Sequence, residues 1–122
     1  MTKPKKVLKL LIVDDSTLVQ SRLKKAISEV NESIDILQAF NCEEAIKMFS
    51  DFIPDKVILD IALPDGSGIE LLQKFKKENP DSEQLIFTNY PTNEFWKICK
   101  QLGAEHFIDK SDLTSLLNNF RK

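Results

Sequence analysis

The chain has few cysteines and no long hydrophobic run near its amino end. Its two cysteines, Cys42 and Cys99, are too few and too far apart for a metal cluster, and they are typical of packing residues in a reducing compartment. Hydrophobic runs are short. The longest one near the amino end, residues 10–13, is far below the length of a signal-peptide core or a membrane span. We therefore expect a cytoplasmic protein with no membrane segment.

No charge of one sign predominates. The chain has 17 basic and 19 acidic residues, a net charge of −2, which gives no reason to expect a nucleic-acid-binding surface. A hydrophobic content of 42% and a charged content of 30% are typical of a globular protein. A length of 122 residues suits one domain. We expect a single domain over residues 1–122, with an ordered core from about 7 to 120.

Short apolar segments alternate with amphipathic ones. Five short segments are predicted to be strands: residues 7–13, 34–40, 56–60, 84–88 and 106–109. The first, third and fourth are nearly continuous in apolar side chains, which is typical of strands buried on both faces of a sheet. A helix is predicted after each strand, over about residues 16–30, 42–52, 69–78, 93–102 and 112–120. Polar side chains are expected to cap four of the helices: Ser16 or Asp15, Asn41 with Glu44, Thr92 or Asn93, and Ser111.

Five strand–helix units in succession predict parallel strands joined by right-handed crossovers, with helices on both faces of the sheet. The expected fold is a doubly wound α/β sandwich. After the third strand, Pro64, Gly66 and Gly68 predict a tight loop rather than a continued strand or helix.

Polar side chains stand where four of the predicted strands end. Asp14 and Asp15 follow the first strand, and Asp60 is the last residue of the third. Thr88 is the last residue of the fourth strand, and Lys110 follows the fifth. Ligands of such sheets bind outside the carboxyl ends of the strands, and the first and third strands are neighbours in one common strand order. We therefore expect the three carboxylates to converge there.

Three crowded carboxylates repel one another, and a hard divalent cation such as Mg²⁺ relieves that repulsion. An aspartate can attack phosphorus to form an aspartyl phosphate, whose charge then needs a cation and a hydrogen-bond donor. Lys110 and Thr88 can supply these. Taken one by one, the residues also have ordinary interpretations as helix-start acids, a loop cap, a strand residue and a surface cation. Their joint placement favours a shared site.

The strand ends and the loops after them carry one set of residues at characteristic intervals: Asp14-Asp15, Asp60 with Pro64 and Gly68, Thr88, and Lys110 with Phe107 before it. This set resembles that of the receiver domain of two-component response regulators, over about residues 7–120. The resemblance implies a flavodoxin-like (βα)5 fold with a five-stranded parallel sheet in the order 2-1-3-4-5.

The resemblance also implies roles for individual residues. Asp60 would accept a phosphoryl group from a phosphohistidine on a sensor histidine kinase or phosphotransfer protein. Asp15, Asp60 and the backbone carbonyl of Ala62 would bind Mg²⁺, or Mn²⁺ in its place, with Asp14 acting mainly through water. Such a protein catalyses its own phosphorylation and dephosphorylation rather than the turnover of an external substrate.

By the same resemblance, Thr88 and Phe107 would form a switch that passes phosphorylation to the face of the fourth helix, fifth strand and fifth helix. That face would bind a downstream protein, regulate an effector domain or support a phosphorylation-dependent dimer. The main alternative is a pseudo-receiver that binds proteins without phosphotransfer. A dehalogenase-type hydrolase needs a second acid two residues after its nucleophile, and this chain has Ala62 at that position. Flavin binding is disfavoured by Asp14 and Asp15, which would repel a phosphate.

Overall fold

The structure is a computed structural model and describes residues 7–122, so the lysine-rich residues 1–6 lie outside it. Twelve elements follow one another along these residues: β1 (Leu8–Val13), α1 (Thr17–Val30), β2 (Ile34–Ala39), α2 (Cys42–Phe52), β3 (Lys56–Leu59), β4 (Ala62–Leu63), β5 (Gly66–Ser67), α3 (Gly68–Glu78), β6 (Glu83–Thr88), α4 (Asn93–Gln101), β7 (His106–Asp109) and α5 (Leu113–Leu117). The bounds of the five predicted strands agree with these to within one residue.

Five strands form one sheet in the order β2-β1-β3-β6-β7, and every neighbouring pair is parallel. Counted within this sheet alone, the order is 2-1-3-4-5, so the predicted doubly wound fold is confirmed. The short strands β4 and β5 form a separate antiparallel hairpin, in which Ala62 pairs with Ser67 and Leu63 with Gly66. The sequence predicts only a tight loop here.

Alternate residues of the central strands point to opposite faces of the sheet and form two hydrophobic clusters. On one face, Leu11 and Val13 pack with residues of α2, α3 and α4. Here the rings of Phe49 and Phe75 stack with centroids 4.0 Å apart, and burying each ring contributes about 1.5–3 kcal/mol to folding. On the other face, residues of α1 and α5 cover Leu10 and its neighbours. The helices on the two faces thus bury most residues of the central strands β1, β3 and β6.

Three of the predicted caps are confirmed. The side-chain oxygens of Ser16, Asn41 and Thr92 accept hydrogen bonds from the backbone N–H groups three residues on. The predicted cap of the last helix is wrong: α5 begins after Asp112, not Ser111, because the Asp112 carboxylate accepts from the backbone N–H of Ser115 at 3.1 Å. The helix also ends at Leu117, three residues earlier than predicted.

Ile53 ends α2 with φ 52° and ψ 66°, in the left-handed region. A β-branched residue is strained there by about 1–2 kcal/mol, and this side chain is 58% exposed, so little burial offsets the strain. We expect Ile53→Gly to raise the free energy of unfolding by about 0.5–1 kcal/mol, measured by urea denaturation. Ile53→Ala, which keeps a Cβ, is the control and should gain less. A glycine variant no more stable than the alanine variant would contradict the explanation.

Candidate functional site

The carboxyl ends of β1 and β3 bring three aspartates together. The backbone N–H of Asp14 donates to Ala39 at 3.1 Å, and that of Asp60 donates to Val13 at 3.0 Å, so both aspartates continue the ladder of the sheet. Carboxylate oxygens of Asp14, Asp15 and Asp60 lie within 4.8 Å of one another. Asp14 and Asp60 are buried and Asp15 is exposed. The acids therefore converge as the sequence predicts, in a cluster that opens to solvent on the side of Asp15.

Lys110 lies against the two buried acids. Its Nζ donates to Asp14 Oδ2 at 2.7 Å and to Asp60 Oδ2 at 2.9 Å, and only 11% of its side chain is exposed. The backbone N–H of Lys110 donates to the carbonyl of Thr88 at 2.9 Å, which ties the loop after β7 to the end of β6. The lysine thus bridges two aspartates that directly follow two different strands, β1 and β3.

Burial and charge act in opposite directions at these groups. Burial raises the pKa of Asp60 above its ordinary value, while Lys110 and the backbone N–H of Ala62 oppose that rise. Burial disfavours the charge of Lys110, yet its hydrogen bonds to Asp14 and Asp60 raise its pKa overall. The lysine is therefore held as a cation. Three carboxylates against one ammonium leave an excess of negative charge and of hard oxygen donors, which fits a divalent ion such as Mg²⁺.

Thr88 and Phe107 lie on β6 and β7, the two strands that come after β3 in the order of the sheet. Thr88 is fully buried at the end of β6, and its Oγ1 accepts from the backbone N–H of Tyr90 at 3.0 Å. The ring of Phe107, on the edge strand β7, is half-buried and lies 5.5 Å from the ring of Trp96, centroid to centroid. The predicted switch residues therefore occupy neighbouring strands, and Phe107 contacts helix α4 through Trp96.

The hairpin after Asp60 is held at its carboxyl end and at its tip. A Cβ on Gly68 would lie 1.9 Å from the carbonyl oxygen of Asp60, so only glycine fits there. At the tip, the Asp65 carboxylate accepts from the backbone N–H groups of Cys42 at 2.7 Å and Glu43 at 3.1 Å, the first turn of α2. These bonds lower the pKa of Asp65. The hairpin that carries Ala62 is thus held against α2.

Sequence reasoning missed three residues that shape the site. Asp65 gave no signal, because its partners are backbone groups 22 and 23 residues away. The backbone N–H of Ser16 donates to Asp14 Oδ1 at 2.9 Å, a turn that an aspartate two residues before a serine can suggest. Gln20 is 1% exposed and shares the buried face of α1 with Leu23, so a polar residue at a core position was the available signal.

Cys42 begins α2 beside the hairpin. Burial, followed by the neighbouring Asp65 carboxylate, raises the pKa of its thiol to about 11. Because the thiolate is the reactive form, alkylation by iodoacetamide at pH 7.5 should be about 100-fold slower than for free cysteine, as followed by mass spectrometry. Asp65→Asn removes the acidic neighbour and should speed the reaction. Labelling of the wild-type thiol at the rate of free cysteine would contradict the assignment.

Comparison with known proteins agrees with this geometry. The chain is 31% identical over 100 residues to the chemotaxis protein CheY of Halobacterium salinarum, covering 82% of each chain. It is also 30% identical to part of a cyclic di-GMP phosphodiesterase of Thermotoga maritima, of which it spans only 26%. Among solved structures, a response regulator of Burkholderia pseudomallei with a phosphorylated aspartic acid, calcium ion and citrate superposes with a TM-score of 0.84 at 22% identity. The match covers 94% of this chain and 67% of that one, and shows the shared fold.

Along residues 7–122, no helix has both the length and the apolar character needed to cross a bilayer. The family model of the response regulator receiver domain matches residues 10–121, which include every residue of the acidic cluster and Lys110. On this match, and on the parallel sheet with three aspartates at its carboxyl edge, the chain belongs to the response regulator receiver domain family.

Proposed function

We propose that this chain is a phosphorylation-dependent signalling switch that accepts a phosphoryl group on Asp60 from a histidine kinase or a histidine phosphotransfer protein. The observation that carries the proposal is the bridge from Lys110 to Asp14 and Asp60 beside a third, exposed acid. Asp60 is buried yet lies next to the open side of this cluster. In this position the Asp60 carboxylate can be reached by a phosphoryl donor from solvent, and the Lys110 ammonium is already in contact with it.

The residues that would hold Mg²⁺, or Mn²⁺ in its place, are Asp14, Asp15, Asp60 and the carbonyl of Ala62. When bound, the ion would neutralise charge that develops on the transferred oxygens. Contacts within the chain already hold these ligands in position. The backbone N–H of Ser16 orients one oxygen of Asp14, and the contact between Asp65 and Cys42 holds the hairpin that carries Ala62. The site is therefore largely organised before any ligand enters.

In the transfer step, a carboxylate oxygen of Asp60 attacks phosphorus and the bond from phosphorus to the donor nitrogen breaks. The electron pair of that bond returns to the imidazole of the donor, and the product is an aspartyl phosphate. Lys110 must then exchange its bond to Asp60 Oδ2 for one to a phosphoryl oxygen. The pKa of Lys110 is raised, so the lysine keeps its charge through this exchange.

The switch begins at Thr88. Its Oγ1 now accepts from Tyr90, and the hydroxyl would turn to donate to a phosphoryl oxygen on Asp60. That turn would leave space at the end of β6 for the ring of Phe107, which is half-buried and packed on Trp96. The surface of α4, β7 and α5 would change as a result. A downstream protein, or an effector domain of the same regulator, would read that surface.

The direct test is incubation of the wild-type protein with Mg²⁺ and acetyl phosphate, followed by intact-mass spectrometry under rapid acid quench. We expect a mass increase of one phosphoryl group that EDTA prevents. Beryllofluoride, a phosphoryl mimic, should in parallel shift the amide resonances of Thr88 and Phe107. A folded protein that gains no phosphoryl group and shows no beryllofluoride response would favour the pseudo-receiver, a binding module without phosphotransfer.

A further inference from the structure

Gln20 is a polar residue on the buried face of a helix. It lies on α1 with Leu23 and Ile27, and these three residues are 1%, 2% and 0% exposed. A buried amide is costly unless it is hydrogen-bonded, so its partners indicate why it is there. It contacts neither the proposed phosphoacceptor nor Lys110 through any hydrogen bond among residues 7–122.

The Nε2 group of Gln20 donates to three backbone carbonyls, those of Ile12 at 3.1 Å, Asp14 at 3.1 Å and Ala39 at 2.9 Å. Ile12 lies near the end of β1, Asp14 directly follows that strand, and Ala39 is the last residue of β2. One side chain of α1 therefore holds the carboxyl ends of two neighbouring strands at the point where the acidic cluster begins.

The rest of the amide is not satisfied. Among the described residues, Oε1 of Gln20 has no hydrogen-bond partner, although the atom is buried. An acceptor left in this state opposes folding. Gln20 therefore stabilises the fold through its Nε2 group, whose hydrogen bonds all go to backbone carbonyls at or near Asp14.

Four contacts constrain Asp14. Gln20 donates to its carbonyl at 3.1 Å, and the N–H of Asp14 donates to the carbonyl of Ala39 at 3.1 Å. Its carboxylate accepts from the backbone N–H of Ser16 at 2.9 Å and from Lys110 Nζ at 2.7 Å. Asp15 follows directly and has no separate anchor of this kind among the bonds of the described residues. The direction in which the Asp14-Asp15 pair leaves β1 therefore depends on the carbonyls that Gln20 holds.

We propose that Gln20 is a positioning residue for the acidic pair: it fixes the carboxyl end of β1 against β2, so that Asp14 and Asp15 face Asp60 at the separation a divalent cation requires. This proposal rests on the function proposed above. Removal of a group that orients a metal ligand commonly weakens the affinity for the metal about 10-fold or more.

The test compares two buried glutamines. Gln20→Met keeps an unbranched side chain of similar size and removes the donors. Gln84→Met is the matched control: Gln84 is also fully buried, its Oε1 also lacks a partner within residues 7–122, and it lies near the start of β6, at the other end of the sheet. Titration calorimetry with Mg²⁺ should show affinity about 10-fold weaker for Gln20→Met and unchanged for Gln84→Met. Equal affinities in a folded Gln20→Met protein would overturn the proposal.

Hydrogen exchange separates this proposal from the function it rests on. In the wild-type protein, the side-chain amide protons of Gln20 should exchange slowly, and in Gln20→Met the backbone amide of Asp14 should lose protection that it keeps in Gln84→Met. Fast exchange of the Gln20 amide in the wild-type protein would overturn the proposal even if the variant failed to fold. A wild-type protein that binds no Mg²⁺ would instead count against the proposed function, and the exchange at Asp14 would still show whether Gln20 holds this strand end.

Discussion

Asp60→Asn is expected to take up no phosphoryl group from acetyl phosphate and Mg²⁺ while remaining folded. The amide has nearly the shape of the carboxylate but no nucleophilic oxygen of comparable strength. Burial already raises the pKa of Asp60, so removing this negative charge relieves a cost, and Lys110 keeps its bond to Asp14 at 2.7 Å. We therefore expect the loss of phosphorylation, measured by intact mass, to come with an unfolding temperature equal to or above that of the wild type.

The matched control is Asp81→Asn. Asp81 is exposed and precedes β6, at the end of the sheet opposite the acidic cluster. Its substitution removes the same charge and should leave phosphorylation at the wild-type rate. Full labelling of Asp60→Asn would place the acceptor on another residue, and loss of labelling in both variants would show that net charge rather than Asp60 controls the reaction.

Lys110→Met is expected to lower the free energy of unfolding at neutral pH by about 2–3 kcal/mol, because it leaves two buried carboxylates facing each other without a cation. The bonds lost are those of Nζ to Asp14 at 2.7 Å and Asp60 at 2.9 Å. The estimate is below that for a fully enclosed pair, since the cluster is open at Asp15. Urea unfolding at pH 7.5 measures it. Mg²⁺ binding should persist and should stabilise the variant more than the wild type, because the added charge replaces that of the lysine.

The effect of Lys110→Met should depend on pH in a fixed direction. The pKa of Asp60 in the folded protein is raised above its ordinary value of 3.8, and Lys110 is a group that opposes this rise. A raised pKa contributes stability that is present below 3.8 and is lost as the pH rises through the higher, folded value. The variant raises that value further, so its deficit should be largest at pH 7.5 and should shrink as the pH falls toward 4.

Lys56→Met provides the control for loss of a lysine. Lys56 is similarly enclosed, with 19% of its side chain exposed, and its Nζ lies 3.6 Å from Glu83 and donates to Asn119 at 2.8 Å. It lies at the start of β3, away from the acidic cluster. Its substitution should leave Mg²⁺ affinity unchanged. Any decrease in the free energy of unfolding should be the same with and without Mg²⁺. A Mg²⁺-dependent deficit in this control would mean that the ion acts elsewhere.

The sequence predicted the sheet well because β1, β3 and β6 are short apolar runs whose residues are mostly buried, and such runs are typical of parallel strands covered on both faces. The site followed from the same pattern: Asp14, Asp15 and Asp60 come directly after those runs, and parallel strands end at one edge. Lys110 was placed by the same reasoning, although its bridge between two acids depends on side-chain geometry.

What the sequence did not predict depends on contacts between distant segments. Asp65 accepts from the first backbone N–H groups of α2 only because the hairpin folds back on that helix, and no local sequence signal near Asp65 indicates this contact. Gln20 has the spacing of a core residue on α1 but is polar, so the periodicity of apolar residues does not identify it. The start of α5 was misplaced because Ser111 and Asp112 are both good caps, and the choice between them is made by the turn after β7, where Ser111 donates to Asp109 at 2.9 Å.

The contact between Trp96 and Phe107 has a practical consequence. Trp96 is the single tryptophan of the chain, and its indole lies 5.5 Å from the phenylalanine ring at an angle of 32°. All indole fluorescence of the protein therefore originates beside Phe107, the aromatic residue that we propose as part of the switch. A change in emission wavelength or quenching upon addition of beryllofluoride would report movement of that ring in real time, with no dye attached and no residue replaced.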